Sequence, residues 1–335
     1  MGSYSITHRF YRTKMSVIKE TELPKIIKEI ESEVGRIVIG QKETIRGIIR
    51  AILCNGHVLI EGVPGIAKTL MIRAVSEVLG CEMQRIQFTV DLLPTDITGI
   101  TTYSPQKGFG VVKGPVFANF VIADEINRSP PKSQSALLEA MQERTVTIAR
   151  KTYELPKPFF VMATENPIEV SGVYSLPEAQ VDRFLFKLLM GYTQHNEEIE
   201  ILSNNITLNQ FEDYHLKKVL SAEKIIALQE MTKKVLSSDA IKEYIVKLVE
   251  ETRNPNFEFA KYIAFGASPR ASISLYIASK AEALMNGRKY VVPKDVKTVA
   301  ASVLRHRIIL NYEAEAEKIS TDKIIKNLLE KVMVP

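Results

Sequence analysis

Eight residues, Gly62-Val63-Pro64-Gly65-Ile66-Ala67-Lys68-Thr69, follow the short apolar run His57-Val58-Leu59-Ile60-Glu61. Behind them, Leu70-Met71-Ile72-Arg73-Ala74-Val75 has the spacing of a buried helix. A strand, a glycine loop, Lys-Thr and a helix in that order leave few folds open, because this is the layout of a phosphate-binding loop. Small residues let backbone N–H groups curl around phosphate oxygens, and the helix N-terminus adds partial positive charge. The loop Gly62, Val63, Pro64, Gly65, Ile66 and Ala67, with Lys68, Thr69 and Leu70 opening the helix, is therefore the expected nucleotide cradle. Lys68 is placed to reach the β- and γ-phosphates, and the Thr69 hydroxyl to bind Mg²⁺. The residue before the lysine is usually glycine. Alanine is tolerated there at negative φ, which a first helical turn requires anyway, so right-handed backbone is expected at Ala67.

A second feature answers the first. Phe120-Val121-Ile122-Ala123-Asp124-Glu125 is a buried strand ending in two carboxylates, which is costly unless they face a metal or water. Downstream of a phosphate loop, Asp124 fits a Mg²⁺ ligand and Glu125 a base that orients and deprotonates the attacking water. Phe159-Phe160-Val161-Met162-Ala163 then runs into Thr164-Glu165-Asn166. Asn166 there is either a contact for the attacking water and γ-phosphate or a turn asparagine before Pro167. Arg183, before a further strand, and Arg270, at the start of a later helix, are each either surface ion-pair partners or stabilisers of phosphoryl charge. The second role is worth roughly 10³–10⁵ in rate where it operates.

The remaining pattern is consistent with an α/β domain followed by helices. Short apolar strands at Glu82–Phe88, Phe120–Ala123, Phe159–Ala163 and Phe184–Met190 follow the first strand, with helical spacing at Ser133–Glu143 and Glu178–Phe184 between them. That alternation predicts a parallel sheet with ligand at its carboxyl edge. Helical stretches Leu23–Ile39 and Glu43–Leu53 precede it. From Gln194 onward the spacing is helical throughout: Glu197–Asn204, Ala222–Val235, Asp239–Thr252, Arg270–Met285 and Lys294–Leu310, with no further strand expected. Asn286-Gly287 closes one helix and Pro293-Lys294-Asp295 opens the next. The expected divisions are an N-terminal extension over residues 1–20, disordered, an α/β core over 21–191 and a helical part over 192–335. Met15 is a candidate natural start.

Composition excludes several classes. The chain has 335 residues, 45% hydrophobic and 25% charged, as in ordinary globular proteins, and a mild net charge of +5 with acids and bases interspersed. No apolar run reaches the roughly 18 residues of a membrane span, and no export leader is evident, so a cytoplasmic location is expected. Cys54 and Cys81 lack metal-ligand spacing and are read as reduced buried thiols.

Taken together, the ordered pieces resemble the AAA+ ATPases and, more narrowly, their MoxR subfamily. The closer likeness rests on Gly62–Thr69 with its alanine, Asp91–Gly99, Gly114–Asn119, Ala123–Arg128, Gln134–Met141, Ala163–Pro167, Leu176–Phe184, Gly266–Arg270 and Val303–Arg307, and extends from about residue 22 to 335. The resemblance implies a five-stranded sheet of order 5-1-4-3-2 with a helical lid, and hexameric rings with ATP and Mg²⁺ between subunits. It makes Asn166 the first sensor, Arg270 the second and Arg183 the arginine finger that enters the neighbour's site. Arg128 is a further candidate for contact across the interface, and Gly40 and Gln41 match the segment near the adenine. Hairpin inserts match residues 91–118, with Gly108-Phe109-Gly110 as turn or tip, and 144–155, where Val146 and Ile148 are expected to face Tyr153 and Leu155. Such hairpins project toward the ring pore.

Three functional readings follow. The resemblance implies an ATP-driven chaperone that remodels, matures or activates a partner complex, often together with a protein carrying a von Willebrand factor A domain. A nucleic-acid motor is the alternative, but no separate basic or winged-helix module is visible. A nucleotide-gated scaffold without hydrolysis is disfavoured by Glu125, Asn166 and Arg183 occurring together.

Overall fold

The computed structural model describes residues 18–106, 108–168, 173–203, 211–254 and 256–335. The extension expected over residues 1–20 thus lies outside the described residues except at its last three. Helices α1 (Leu23–Gly35) and α2 (Lys42–Leu53) lead to β1 (Val58–Gly62) and α3 (Lys68–Val78). Next come β2 (Met83–Gln87), the short α4 (Pro94–Thr98), β3 (Gly99–Ser104), β4 (Gly108–Lys113) and β5 (Phe120–Asp124). Then follow α5 (Pro131–Glu143), β6 (Thr145–Ile148), β7 (Lys151–Glu154), β8 (Phe160–Glu165), α6 (Glu178–Val181) and β9 (Phe186–Met190).

The central sheet has five parallel strands in the order β2-β5-β8-β1-β9. Counting only these strands, that is 5-1-4-3-2, as expected. Residues alternate between its faces. Val58, Ile60, Phe120, Ile122, Phe160, Met162, Phe186 and Leu188 share one apolar cluster with α1, α2 and α3. Leu59, Val121, Ala123, Val161 and Ala163 share the other with α5 and the segment around Ile97. α1 buries Leu23, Ile27, Ile30 and Val34, one stripe of a 3.6-residue period. α2 packs so close to β9 that a Cβ on Gly47 would lie 2.8 Å from the Leu188 side chain.

Two antiparallel hairpins leave this core. β3 and β4 pair from Gly99↔Lys113 to Ser104↔Gly108, so Phe109 and Gly110 lie in a strand and not at the tip. The turn precedes Gly108, whose φ of +70° suits it. β6 and β7 pair Val146 with Tyr153 as expected, but Ile148 faces Lys151; Leu155 lies past the strand, its N–H donating to Arg144 O.

The rest is mostly helical: α7 (His195–Ser203), α8 (Ala222–Lys234), α9 (Asp239–Arg253), α10 (Pro269–Met285), α11 (Pro293–Leu304), α12 (Tyr312–Ala316) and α13 (Thr321–Lys331). The expectation of no strand is corrected by β10 (Ile263–Phe265) and β11 (Ile309–Leu310), an antiparallel pair. The helix expected over Lys294–Leu310 stops at Leu304, because Arg305, His306 and Arg307 turn back to bond backbone oxygens of residues 182–187. Likewise α1 ends at Gly35, four residues before Ile39. Leu228, Leu275, Ala278, Val299 and Val303 of the lid belong to the same apolar cluster as Ile27 and Val58 of the core. A buried ion pair, Arg50 to Glu282 at 2.6 Å, ties α2 to α10. Among the described residues no helix is long and apolar enough to cross a membrane.

Candidate active site

Parallel register brings the carboxyl ends of β1, β5 and β8 together. Past β1, the loop turns through Gly65 (φ +82°) and Ala67 (φ +64°, ψ +27°) into α3. The right-handed backbone expected at Ala67 is therefore overturned: the residue is left-handed. Such a turn aims successive N–H groups into one concavity, and that need outweighs the side-chain clash. Lys68 is nearly buried, and its Nζ donates to Gly62 O at 2.6 Å and Glu165 O at 3.2 Å. Burial pushes the Glu165 carboxyl above the usual range; Lys187 opposes this and Glu61 adds to it.

Thr69 Oγ1 donates to Asp124 Oδ2 at 3.2 Å, which puts hydroxyl and carboxylate side by side, within reach of one divalent ion. Their chemistry, two hard oxygens, one in the first turn of α3 and one at the tip of β5, fits Mg²⁺. Asp124 Oδ1 accepts from Thr164 Oγ1 at 2.8 Å, and the same hydroxyl accepts the Glu125 N–H at 2.9 Å. Glu125 is itself left-handed, with φ +55°. Neighbouring side chains on a strand point apart; this twist ends the alternation and lets both acids share a site.

Two residues of β2 meet those acids, and neither stood out in the sequence. Arg85 Nη2 donates to Asp124 Oδ2 at 2.6 Å and to Gln87 Oε1 at 2.6 Å. Gln87 Nε2 donates to Glu125 Oε2 at 3.1 Å, which also accepts from Arg128 Nη1 at 2.9 Å. Arg128 is thus a partner of Glu125 within the same chain. Asn166 is buried at the tip of β8, and its Oδ1 accepts the Ile168 N–H at 3.2 Å, the turn geometry that the sequence had left open. Gln41 Nε2 donates to Gly191 O at 3.1 Å, which sets Gly40 and Gln41 at the carboxyl end of β9. Gly40 has φ +78°, backbone that favours glycine, and a Cβ there would also fall 2.6 Å from Glu197 Oε2 of α7.

Arg183 and Arg270 are elsewhere. Arg183 precedes the amino end of β9, exposed, with Nη1 donating to Leu138 O at 3.1 Å. Arg270 Nη1 bonds the adjacent Asp182 Oδ2 at 3.1 Å. β9 is in register with β1, Val58 opposite Phe186 and Gly62 opposite Met190. The two arginines therefore lie at the far end of the sheet from the phosphate loop, separated by a strand about 13 Å long.

A parallel five-stranded sheet, a phosphate loop after β1, an acidic strand tip and a helical lid define the AAA+ class of P-loop protein. Residues 57–186 match the family described as ATPase family associated with various cellular activities (AAA), and residues 258–328 match the AAA lid domain. The chain is 47% identical to a protein named chaperone MoxR1 from Mycobacterium tuberculosis, across 90% of this chain and 81% of that one. It is 43% identical to YeaC of Bacillus subtilis, itself described as uncharacterised, covering 94% and 97% of the two chains. Protein MoxR of Paracoccus denitrificans is 33% identical, with 87% and 91% covered. The crystal structure of a proposed ATPase from Cytophaga hutchinsonii superimposes with a TM-score of 0.86 at 47% identity, covering 94% and 97%. The chain belongs to the MoxR subfamily of AAA+ ATPases.

Proposed function

We propose that the protein hydrolyses ATP to ADP and phosphate as a hexameric ring in the cytoplasm, each nucleotide lying between two subunits. The observation that carries this reading is the division of the reactive side chains between opposite ends of one sheet. Lys68, Thr69, Asp124 and Glu125 gather at the carboxyl end, while Arg183 and Arg270 stand at the amino end. Neither guanidinium reaches its own loop, which supports each serving a neighbour's. On this reading Arg270, like Arg183, acts in trans.

In this reading the loop N–H groups and Lys68 hold the phosphates, Gly40 and Gln41 flank the adenine, and Thr69 and Asp124 hold Mg²⁺. The metal, when bound, neutralises charge on the phosphate oxygens. Glu125 leaves Gln87 and Arg128 to take the proton of the attacking water, which Asn166 helps to orient. Arg128, released from Glu125, becomes available to the interface. Arg183 and Arg270 of the next subunit stabilise charge developing on the transferred group.

The cycle is coupled to remodelling or activating a client protein complex, together with a von Willebrand factor A domain partner. Similarity to a protein named chaperone supports the first part. The β3–β4 hairpin offers a client contact: Tyr103 and Phe109 are 65% and 81% exposed, their rings 5.1 Å apart.

Lys68→Ala is expected to abolish nucleotide binding, and Glu125→Gln to bind ATP and keep it intact. Arg183→Ala subunits are expected to bind ATP without turnover and to recover turnover when mixed with Glu125→Gln subunits. Absence of recovery under proven subunit exchange rules out the finger in trans. Mass spectrometry of proteins held by the Glu125→Gln ring would identify the client.

A further inference from the structure

The residue between α6 and Arg183 is Asp182, and both of its oxygens are engaged by the lid. Oδ1 accepts from Arg307 Nε at 2.7 Å. Oδ2 accepts from Arg270 Nη1 at 3.1 Å and from Ser268 Oγ at 3.2 Å. Arg307, itself buried, also donates to the backbone oxygens of Asp182 at 3.2 Å, Phe184 at 2.7 Å and Leu185 at 3.2 Å. The turn that carries Arg183 is therefore fixed to the lid by one buried guanidinium.

Arg307 uses Oδ1 and the backbone oxygens. The second oxygen goes to Arg270, whose side chain is 51% exposed, and a pair that open to water adds little stability. What it does add is orientation. An arginine side chain has many rotamers, and the carboxylate selects those that keep the Arg270 guanidinium at the turn preceding β9. It also offsets the repulsion between the Arg270 and Arg307 guanidiniums, both of which it bonds.

We infer that Asp182 is a positioning residue that holds Arg270 against the turn that carries Arg183, so that one subunit presents both guanidiniums to its neighbour's nucleotide. The inference rests on the trans reading proposed above. Asp182 touches no nucleotide; its effect passes through Arg270. The arrangement also makes finger and lid one mechanical piece, since Arg307 and Arg270 both come from the lid and both end on this carboxylate.

The test is ATP turnover by assembled full-length rings carrying Asp182→Asn, which keeps the shape and removes the charge. kcat is expected to fall about tenfold while KM for ATP stays within about twofold, because the variant's own cradle is intact. Added to Arg270→Ala, the substitution is expected to lower kcat by less than about twofold more, since both act through one guanidinium. Mixing Asp182→Asn with Glu125→Gln subunits is expected to restore turnover as it does for Arg183→Ala. Unchanged kcat, or a loss that mixing does not repair while Arg183→Ala is repaired, overturns the inference and leaves the trans reading standing. Failure to repair Arg183→Ala removes that reading and this inference with it. If Asp182→Asn does not fold, Asp182→Glu keeps the charge but displaces the carboxylate, and the same kcat loss and the same repair are expected; wild-type kcat there overturns the inference.

Discussion

Ala67 and Glu125 hold left-handed backbone at the two places where the chain must change direction sharply to build the site. A non-glycine residue costs about 1–2 kcal/mol in that conformation. At Ala67, glycine would relieve the strain but lose more freedom on folding, and the two effects oppose each other. Ala67→Gly is therefore expected to change stability by less than about 1 kcal/mol and to leave nucleotide affinity unaltered. Ala67→Val, branched at Cβ, is expected to cost more than about 2 kcal/mol and to weaken ATP binding; urea unfolding and nucleotide titration check both. Thr164 is the second residue-scale test. Thr164→Val keeps the shape but leaves Asp124 Oδ1 and the Glu125 N–H without their shared hydroxyl, at a cost of about 1–3 kcal/mol. With Asp124 less firmly oriented, the Mg²⁺ concentration needed for half-maximal nucleotide binding is expected to rise. Asp124 and Glu125 were legible in the sequence because paired acids on an apolar strand are conspicuous. Arg85, Gln87 and Thr164 were not, since their roles arise from register: Gln87 lies opposite Asp124 only once β2 and β5 pair.

At the scale of elements, the contact between α2 and α10 holds a buried ion pair. Arg50 and Glu282 are 4% and 8% exposed at the side chain, and Asn286 Nδ2 also donates to Glu282 Oε1 at 2.9 Å. Burial pushes the Glu282 carboxyl up, but Arg50, with Asn286 and Arg46, outweighs it and leaves the group below its ordinary value of 4.5. A depressed carboxyl contributes stability above its unfolded value and loses it as pH falls through the folded one. Wild-type stability is thus expected to decline below about pH 4.5, with a shallower decline in Glu282→Gln, measured as urea midpoints against pH. Arg50→Ala leaves a buried carboxylate unpaired and is expected to cost about 3–5 kcal/mol. The long lid helices were plain in the sequence because their apolar stripes run for three or more turns. β10 and β11, at three and two residues, are too short to show a period, and the apolar spacing across Val303–Leu310 reads as helix. Strand order came from family likeness, since hydrophobic pattern alone does not choose among parallel arrangements.

For the whole molecule, what matters is that lid and core share one apolar cluster while the reactive groups are split between two ends of the sheet. In a subunit built this way Arg183 and Arg270 stand a strand's length from the phosphate loop. Arg270 and Arg307 of the lid are bound at Asp182, beside Arg183 in sequence, so on the trans reading lid movement carries that turn with it. If the proposed finger acts in trans, turnover depends on association. Activity per subunit is expected to fall toward zero on dilution through the assembly constant, while ATP affinity, set mostly by Lys68 and the loop, changes far less. Analytical ultracentrifugation run alongside a turnover assay over the same concentrations checks the two curves against each other. If a monodisperse monomer turned over ATP at the rate of the assembled protein, an arginine within the chain would have to cross the length of β9 to the phosphate loop, a rearrangement that would break the Arg307 contacts holding the turn at residues 182–185.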